Sequence, residues 1–290
     1  MKLDGRREST NVDDRRGRSV ATAGGIGLGG LVIIGLITLL MGGNPSDVIE
    51  MAGQMMVNQD GTTTTTQDWN PSAEEQALAT FSKQIIAGTE DVWTKIFEAM
   101  GRTYIPPKLV LYSGTVQSGC GNASSQMGPF YCSADQSVYI DLSFFMSMKQ
   151  QLGADGDFAY AYVLAHEVGH HVQALLGTLQ QAHNKMSRVS KTESNQISVR
   201  LELQADFYAG IWAYYDNKFF GSIEPGDVEE GIKAAQSVGD DLLQKKSYGR
   251  TVPDSFTHGT AEQRSRWLKK GLTTGNINLG DTFSPAYSQL

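Results

Sequence analysis

Apolar and polar positions divide the chain into four stretches. The first 19 residues are polar and arginine-rich (Arg6, Arg7, Arg15, Arg16, Arg18) and show no apolar period. Residues 20–43 carry no charge and run from a glycine-rich stretch into the apolar run 31–41, which predicts one helix long enough to span a bilayer. Residues 44–71, with Pro45, five consecutive threonines at 62–66 and Asn70-Pro71, read as a flexible linker. The folded unit is expected over 72–290. Ser72-Ala-Glu-Glu75 is a capping box, Leu78, Phe81, Ile85, Val92, Ile96 and Met100 follow at helical spacing, and Gly101 supplies a stop. Short β-type runs come next, at 108–114, 130–132 and 137–142, around a loop rich in Gly and Ser. From Asp157 the pattern is helical nearly to the end. The class predicted is α+β, mainly helical with a small sheet, preceded by one transmembrane helix.

Charge adds a direction. Six basic residues lie before residue 20, and the next after Arg18 is Lys83. That asymmetry predicts a cytoplasmic tail over 1–19, an anchor over 20–43 and an extracytoplasmic remainder, periplasmic in a bacterial inner membrane. The rival is a cleaved signal peptide, although the apolar run ends without an Ala-x-Ala site. Beyond the tail, 18 basic residues face 27 acidic ones, which argues against a nucleic-acid surface. Gly25-Ile-Gly27-Leu-Gly-Gly30 fits a dinucleotide fingerprint but lacks the preceding strand and βαβ context, so no nucleotide is expected. Gly25 and Gly29 also form a possible helix-pairing face. The two cysteines, Cys120 and Cys132, flank the Gly/Ser-rich loop, and in an oxidising compartment they are expected to pair.

The chemistry concentrates in two clusters. In Ala165-His166-Glu167-Val-Gly-His170-His171, His166 and His170 stand one helical turn apart on one face, the spacing that zinc ligation needs. Glu167 is placed to accept a proton from a water whose pKa the metal lowers. Small Gly169 would let another element pass close to the metal. The second cluster is Arg200-Leu-Glu202-Leu-Gln-Ala-Asp206, two carboxylates on an otherwise apolar helix, costly there unless paired or metal-bound. Two histidines and Glu202, with water in the fourth position, make a catalytic tetrahedral set for one Zn2+ per chain. Should Glu202 not serve, Asp206 or Glu193 is the fallback third ligand. Asp206, one turn on, could accept the free ring N–H of a ligand histidine.

His-Glu-x-x-His followed by Glu-x-x-Ala-Asp resembles the gluzincin class of metallopeptidases. The longer string is similar to a bacterial group of membrane-anchored neutral zinc metallopeptidases (YpfJ-like). The likeness rests on the arginine-rich tail and apolar run, Ser118-Gly-Cys-Gly121, Gly128-Pro-Phe-Tyr-Cys132, Val138-Tyr-Ile-Asp141, both metal clusters and Thr257-His258-Gly-Thr260-Ala-Glu-Gln-Arg264. It covers nearly the whole chain. The metzincin pattern is excluded, since its glycine would fall at Gln173 and its third histidine at Leu176. The resemblance implies a zincin-like domain that cleaves a peptide or protein, with His258 either stabilising an oxyanion or filling a packing and capping role. It also implies that an edge strand holds extended substrate. The run at Ser137–Asp141 is a candidate for that strand, with an interior strand as the equal alternative.

The remaining residues carry weaker expectations. Arg264 would pair with Asp206 or another buried acid. His171 points about 100° away from His170, which suits a supporting or solvated role, and His183 is expected at the surface. Tyr208, Tyr214 and Tyr215 read as core before oxyanion donors. The polar stretch 180–195 predicts a loop or helical excursion, a candidate lid. Thr260-Ala-Glu-Gln263 should cap a helix ending at Gly271. A reading from another class stands beside these: a zinc-binding envelope interaction protein with a peptidase fold and little turnover. Hydrolysis of a non-protein amide is a third.

Overall fold

The computed structural model describes residues 1–17 and 69–290. The apolar run 20–43, the glycine motifs within it and the linker through residue 68 lie outside the described residues. Among those described, no helix is long and apolar enough to cross a membrane.

Ser72 caps helix α1 (Ala73–Ala99), its hydroxyl accepting from the Glu75 N–H at 3.1 Å. Gly101, at φ +69°, turns the chain out of it. Ile85, Val92 and Ile96 are buried as the periodicity requires, while Met100, at the helix end, is exposed. The chain then forms β2 (Lys108–Tyr112), the hairpin β3 (Thr115–Ser118) and β4 (Gly121–Ser124), β5 (Phe130–Cys132) and β6 (Ser137–Asp141). A further strand, β1 (Val12–Asp14), comes from the N-terminal arm, giving sheet order β1-β2-β6-β5. β1 and β6 run parallel to β2, and β5 pairs antiparallel with β6, Phe130 opposite Tyr139.

Alternation decides what each face buries. Leu109, Leu111, Val138 and Ile140 point into the main core with the helices. Val110, Tyr112 and Tyr139 point the other way, under the β3–β4 hairpin and beside Val116, Ala123 and Met127. A disulfide between Cys120 and Cys132, as expected, ties the hairpin tip to β5 with Cα atoms 5.8 Å apart.

The helical half comprises α2 (Ser143–Ser147), α3 (Asp157–Leu176), α4 (Thr178–Met186), α5 (Lys191–Phe220), α6 (Asp227–Ser237), α7 (Asp240–Tyr248) and α8 (Ala261–Thr274). The 180–195 excursion is thus most of helix α4, a turn over 187–190 and the start of α5. The long α5 packs against α3 on one side and α8 on the other.

One of two equal readings is decided, and three expectations differ from the structure. Ser137–Asp141 is the interior strand β6, and the edge next to it is β5. The Gly/Ser-rich loop contains a paired hairpin. The helix opened by Thr260 continues to Thr274, because Gly271 is a crossing point rather than a stop: a side chain there would run into the backbone of Phe207 and Gly210 on α5. Residues 1–17, expected as a separate tail, are folded into the domain.

Candidate metal centre

Helix α3 is continuous from Asp157 to Leu176, so His166 and His170 share a face one turn apart, their rings 4.8 Å centre to centre and perpendicular. Helix α5 crosses α3 at Gly169. A Cβ there would sit 2.8 Å from the Ala205 carbonyl oxygen, so only glycine allows this approach. The crossing brings Glu202 between the two rings, its Oε2 3.1 Å from His166 Nε2 and its Oε1 3.4 Å from His170 Nε2. Ligand atoms of His166, His170 and Glu202 all lie within 4.8 Å of one another. The gathered trio matches the expected ligand set. Glu193 is instead the reciprocal partner of Ser190 in the capping box of α5, and Asp206 turns away toward other partners.

The chemistry of the donor set fits a divalent cation. His166 Nδ1 lies 2.8 Å from Asp206 Oδ1, a carboxylate that can only accept, so this nitrogen carries the proton. Gln173 does the same for His170. Its amide nitrogen donates to the Leu201 carbonyl at 2.7 Å, which turns its oxygen toward His170 Nδ1 at 2.9 Å. Both rings therefore spend Nδ1 on a fixed acceptor and turn Nε2 to the space beside Glu202, the nitrogen that would exchange its proton for a metal. With two nitrogens and one carboxylate, the set suits zinc.

Asp206 is wholly buried and fully satisfied. It accepts from Tyr162 Oη at 2.6 Å and from Arg264 through Nε at 2.9 Å and Nη2 at 3.0 Å. Burial pushes its carboxyl up, but Arg264 and His166 outweigh it and hold the group below its usual range. Arg264 and Tyr162 are themselves bonded at 3.1 Å. The expected Arg264–Asp206 pair is thus part of a larger network.

Electrostatics around the trio point the same way. Burial disfavours charge on His166, yet Asp206 and Glu202 raise its pKa to about 10. Burial likewise opposes ionisation of Glu202, but His258 and His170 hold its carboxyl well below the usual range. The pocket is built for positive charge. Glu167, next to His166, is buried, and that burial pushes its carboxyl up against the pull of His166 and His170. A backbone hydrogen bond from Tyr131 on β5 orients it.

His258 stands in the loop before α8, near enough to Glu202 to lower its pKa. Buried Asp240 shapes that loop by accepting the N–H groups of Thr257, His258 and Gly259 at 2.7–3.0 Å. His171 is buried, with Nε2 2.6 Å from the Ile105 carbonyl and Nδ1 3.0 Å from Tyr131 Oη; burial lowers its pKa to about 4, so it stays neutral. His183 is exposed on α4. Tyr208 is buried edge-on against Trp93, and Tyr214 covers Gly275.

Three supporting residues escaped the sequence reading. Gln173 carried a signal, since it lies at i+3 from His170 on the same helix. Tyr162 carried one too, at i−4 from His166. Asp240, remote in sequence, gave none.

Comparison with known proteins agrees with this centre. A family model described as "Putative neutral zinc metallopeptidase" matches residues 1–283. The protein YpfJ of Escherichia coli (strain K12) is 47% identical over 98% of this chain and 99% of its own length. Protein Mb2605 of Mycobacterium bovis is 44% identical over 63% of this chain and 64% of its own. No solved structure matches the chain.

Proposed function

We propose that this chain, which belongs to the neutral zinc metallopeptidase family, hydrolyses peptide bonds at the centre formed by His166, His170 and Glu202. The observation that carries this reading is the convergence of three donors: Asp206 and Gln173 hold the Nδ1 edges of the two histidines, so that both Nε2 atoms face Glu202. When bound there, zinc supplies Lewis acidity and lowers the pKa of a coordinated water.

The chain's own residues provide the rest. The Glu167 carboxylate, held by the Tyr131 N–H, takes a proton from the attacking water and returns it to the leaving amine. His258, fixed by Asp240, is positioned to stabilise negative charge developing on the carbonyl oxygen. Strand β5, at the sheet edge and adjoining Glu167, is the strand on which an extended peptide would lie. The paired Cys120 and Cys132 favour an oxidising, extracytoplasmic setting for the catalytic domain, with the apolar run 20–43 as its membrane attachment.

The test pairs metal content with turnover on a peptide library. Glu167→Gln should keep one zinc per chain and lose activity by roughly 10²- to 10⁴-fold, whereas Glu202→Ala should lose the zinc. Activity surviving in Glu167→Gln would remove the assigned base. Zinc bound without cleavage by the unaltered chain would instead support the interaction-protein reading.

A further inference from the structure

The N-terminal arm is bound along its whole described length. The Met1 ammonium sits among three carboxylates, 3.3 Å from Asp227, 3.5 Å from Glu224 and 3.7 Å from Asp157. Arg6 forks onto buried Asp216 at 2.8 and 3.3 Å and stacks on the Phe220 ring. Arg7 pairs with Glu90 and Asp91 on α1. Residues Val12–Asp14 complete the sheet, and the Arg15 N–H continues the ladder to the Leu111 carbonyl at 2.7 Å. Buried Arg16 reaches Glu75 and lies over the Trp69 ring, and Gly17 touches the same ring. Gly17 and Trp69, the described residues on either side of 18–68, therefore meet at one point.

From this we propose that arm 1–17 is a structural strand of the catalytic body and stays docked in the same compartment as the metal centre. This goes beyond the peptidase reading and does not depend on it. Arg6, Arg7 and Arg16, which would help mark a cytoplasmic tail, are here paired with acids of the domain, so they are withdrawn from the membrane-facing charge count that sets orientation. Contacts of 2.7–3.7 Å cannot form across a bilayer whose hydrocarbon core is about 30 Å thick. Any membrane attachment through residues 20–43 must then leave Gly17 and Trp69 on one face.

Single cysteines in the full-length chain test this. Asp4→Cys reports the arm and Lys269→Cys the domain, both at exposed positions, with a membrane-impermeant maleimide applied to intact spheroplasts and to lysed ones. The unaltered chain, whose cysteines are paired, is the blank. Equal labelling of both sites in intact spheroplasts is the expected result. Protection of both until lysis would equally support a shared compartment, while overturning the extracytoplasmic setting. Labelling of Lys269→Cys with Asp4→Cys protected until lysis would overturn the proposal. Docking itself is read from purified Arg6→Ala, whose melting temperature should fall by roughly 5–10 °C because Asp216 is left buried without its partner. An unchanged melting temperature would show the arm undocked and sink the inference.

Discussion

At the scale of single residues, the centre depends on two side chains that would never touch the metal. Gln173 and Asp206 each take one proton from a ligand histidine, and each is held by something else: Gln173 by the Leu201 carbonyl, Asp206 by Arg264 and Tyr162. Their loss should therefore have different signatures. Gln173→Leu leaves no charge unpaired and releases only the His170 tautomer, so zinc affinity should fall about 10- to 100-fold with little change in folding. Asp206→Ala strips a buried arginine of its partner, which costs about 3–5 kcal/mol of stability in addition to any loss of metal. Metal titration beside thermal melting separates the two; equal destabilisation by both variants would contradict this division. The ligands and Glu167 were legible because helical spacing alone puts His166 and His170 on one face. Arg264 was half legible, because two carboxylates on the otherwise apolar stretch around Glu202 and Asp206 needed a partner. Asp240 was not, because a carboxylate that collects three backbone N–H groups looks in sequence like any helix-opening aspartate.

Among the elements, the centre exists because α3 and α5 approach closely enough for Glu202 to reach between two imidazoles. Gly169 sets that distance, and Gly271 plays the corresponding part where α8 crosses α5 to deliver Arg264. Gly169→Ala should cost about 1–3 kcal/mol through overpacking and also weaken metal binding, since the added carbon displaces the segment that carries Glu202. Gly114→Ala is the control. Its φ is +74°, unlike that of Gly169, and nothing lies within 4 Å, so stability should fall while metal affinity holds. On the opposite side, the disulfide anchors β5, whose Tyr131 holds both Glu167 and His171. Replacing Cys120 and Cys132 by serine should lower stability by about 3 kcal/mol and reduce turnover while leaving zinc bound, which calorimetry and metal analysis together would check. The helices of this frame were readable from their periodicity. The hairpin was not, because β3 and β4 are four residues each and rich in Gly, Ser and Asn, with one buried side chain apiece. Gly271 misled for a physical reason: a glycine that permits a close crossing and one that ends a helix are the same letter.

Over the whole molecule, an acidic body is closed by a basic arm whose first atom takes part in the fold. The arm was illegible in sequence because its strand is three residues long, with no apolar alternation, and because its arginines read as a topology signal. Its docking has a pH signature. Burial opposes charge on the Met1 ammonium, but Asp227, with Asp157 and Glu224, outweighs it and raises its pKa above the ordinary 8.0. The groups facing it are those three acids, with Glu230 close enough to feel its charge; Lys2 sits on the outer side of Glu224. A raised folded-state pKa means that the stabilisation is fully present below pH 8 and is lost as pH climbs through the folded value. Losing the ammonium removes the charge that Asp227, Glu224 and Asp157 gather around at the arm terminus. Full-length protein should accordingly lose stability from about pH 8 upward. A chain extended by two residues before Met1 removes the amine from this pocket, so it should be less stable at neutral pH and lack the alkaline step. Denaturant midpoints from pH 6 to 10 distinguish the two chains, and parallel curves would mean that the terminus contributes nothing to the fold.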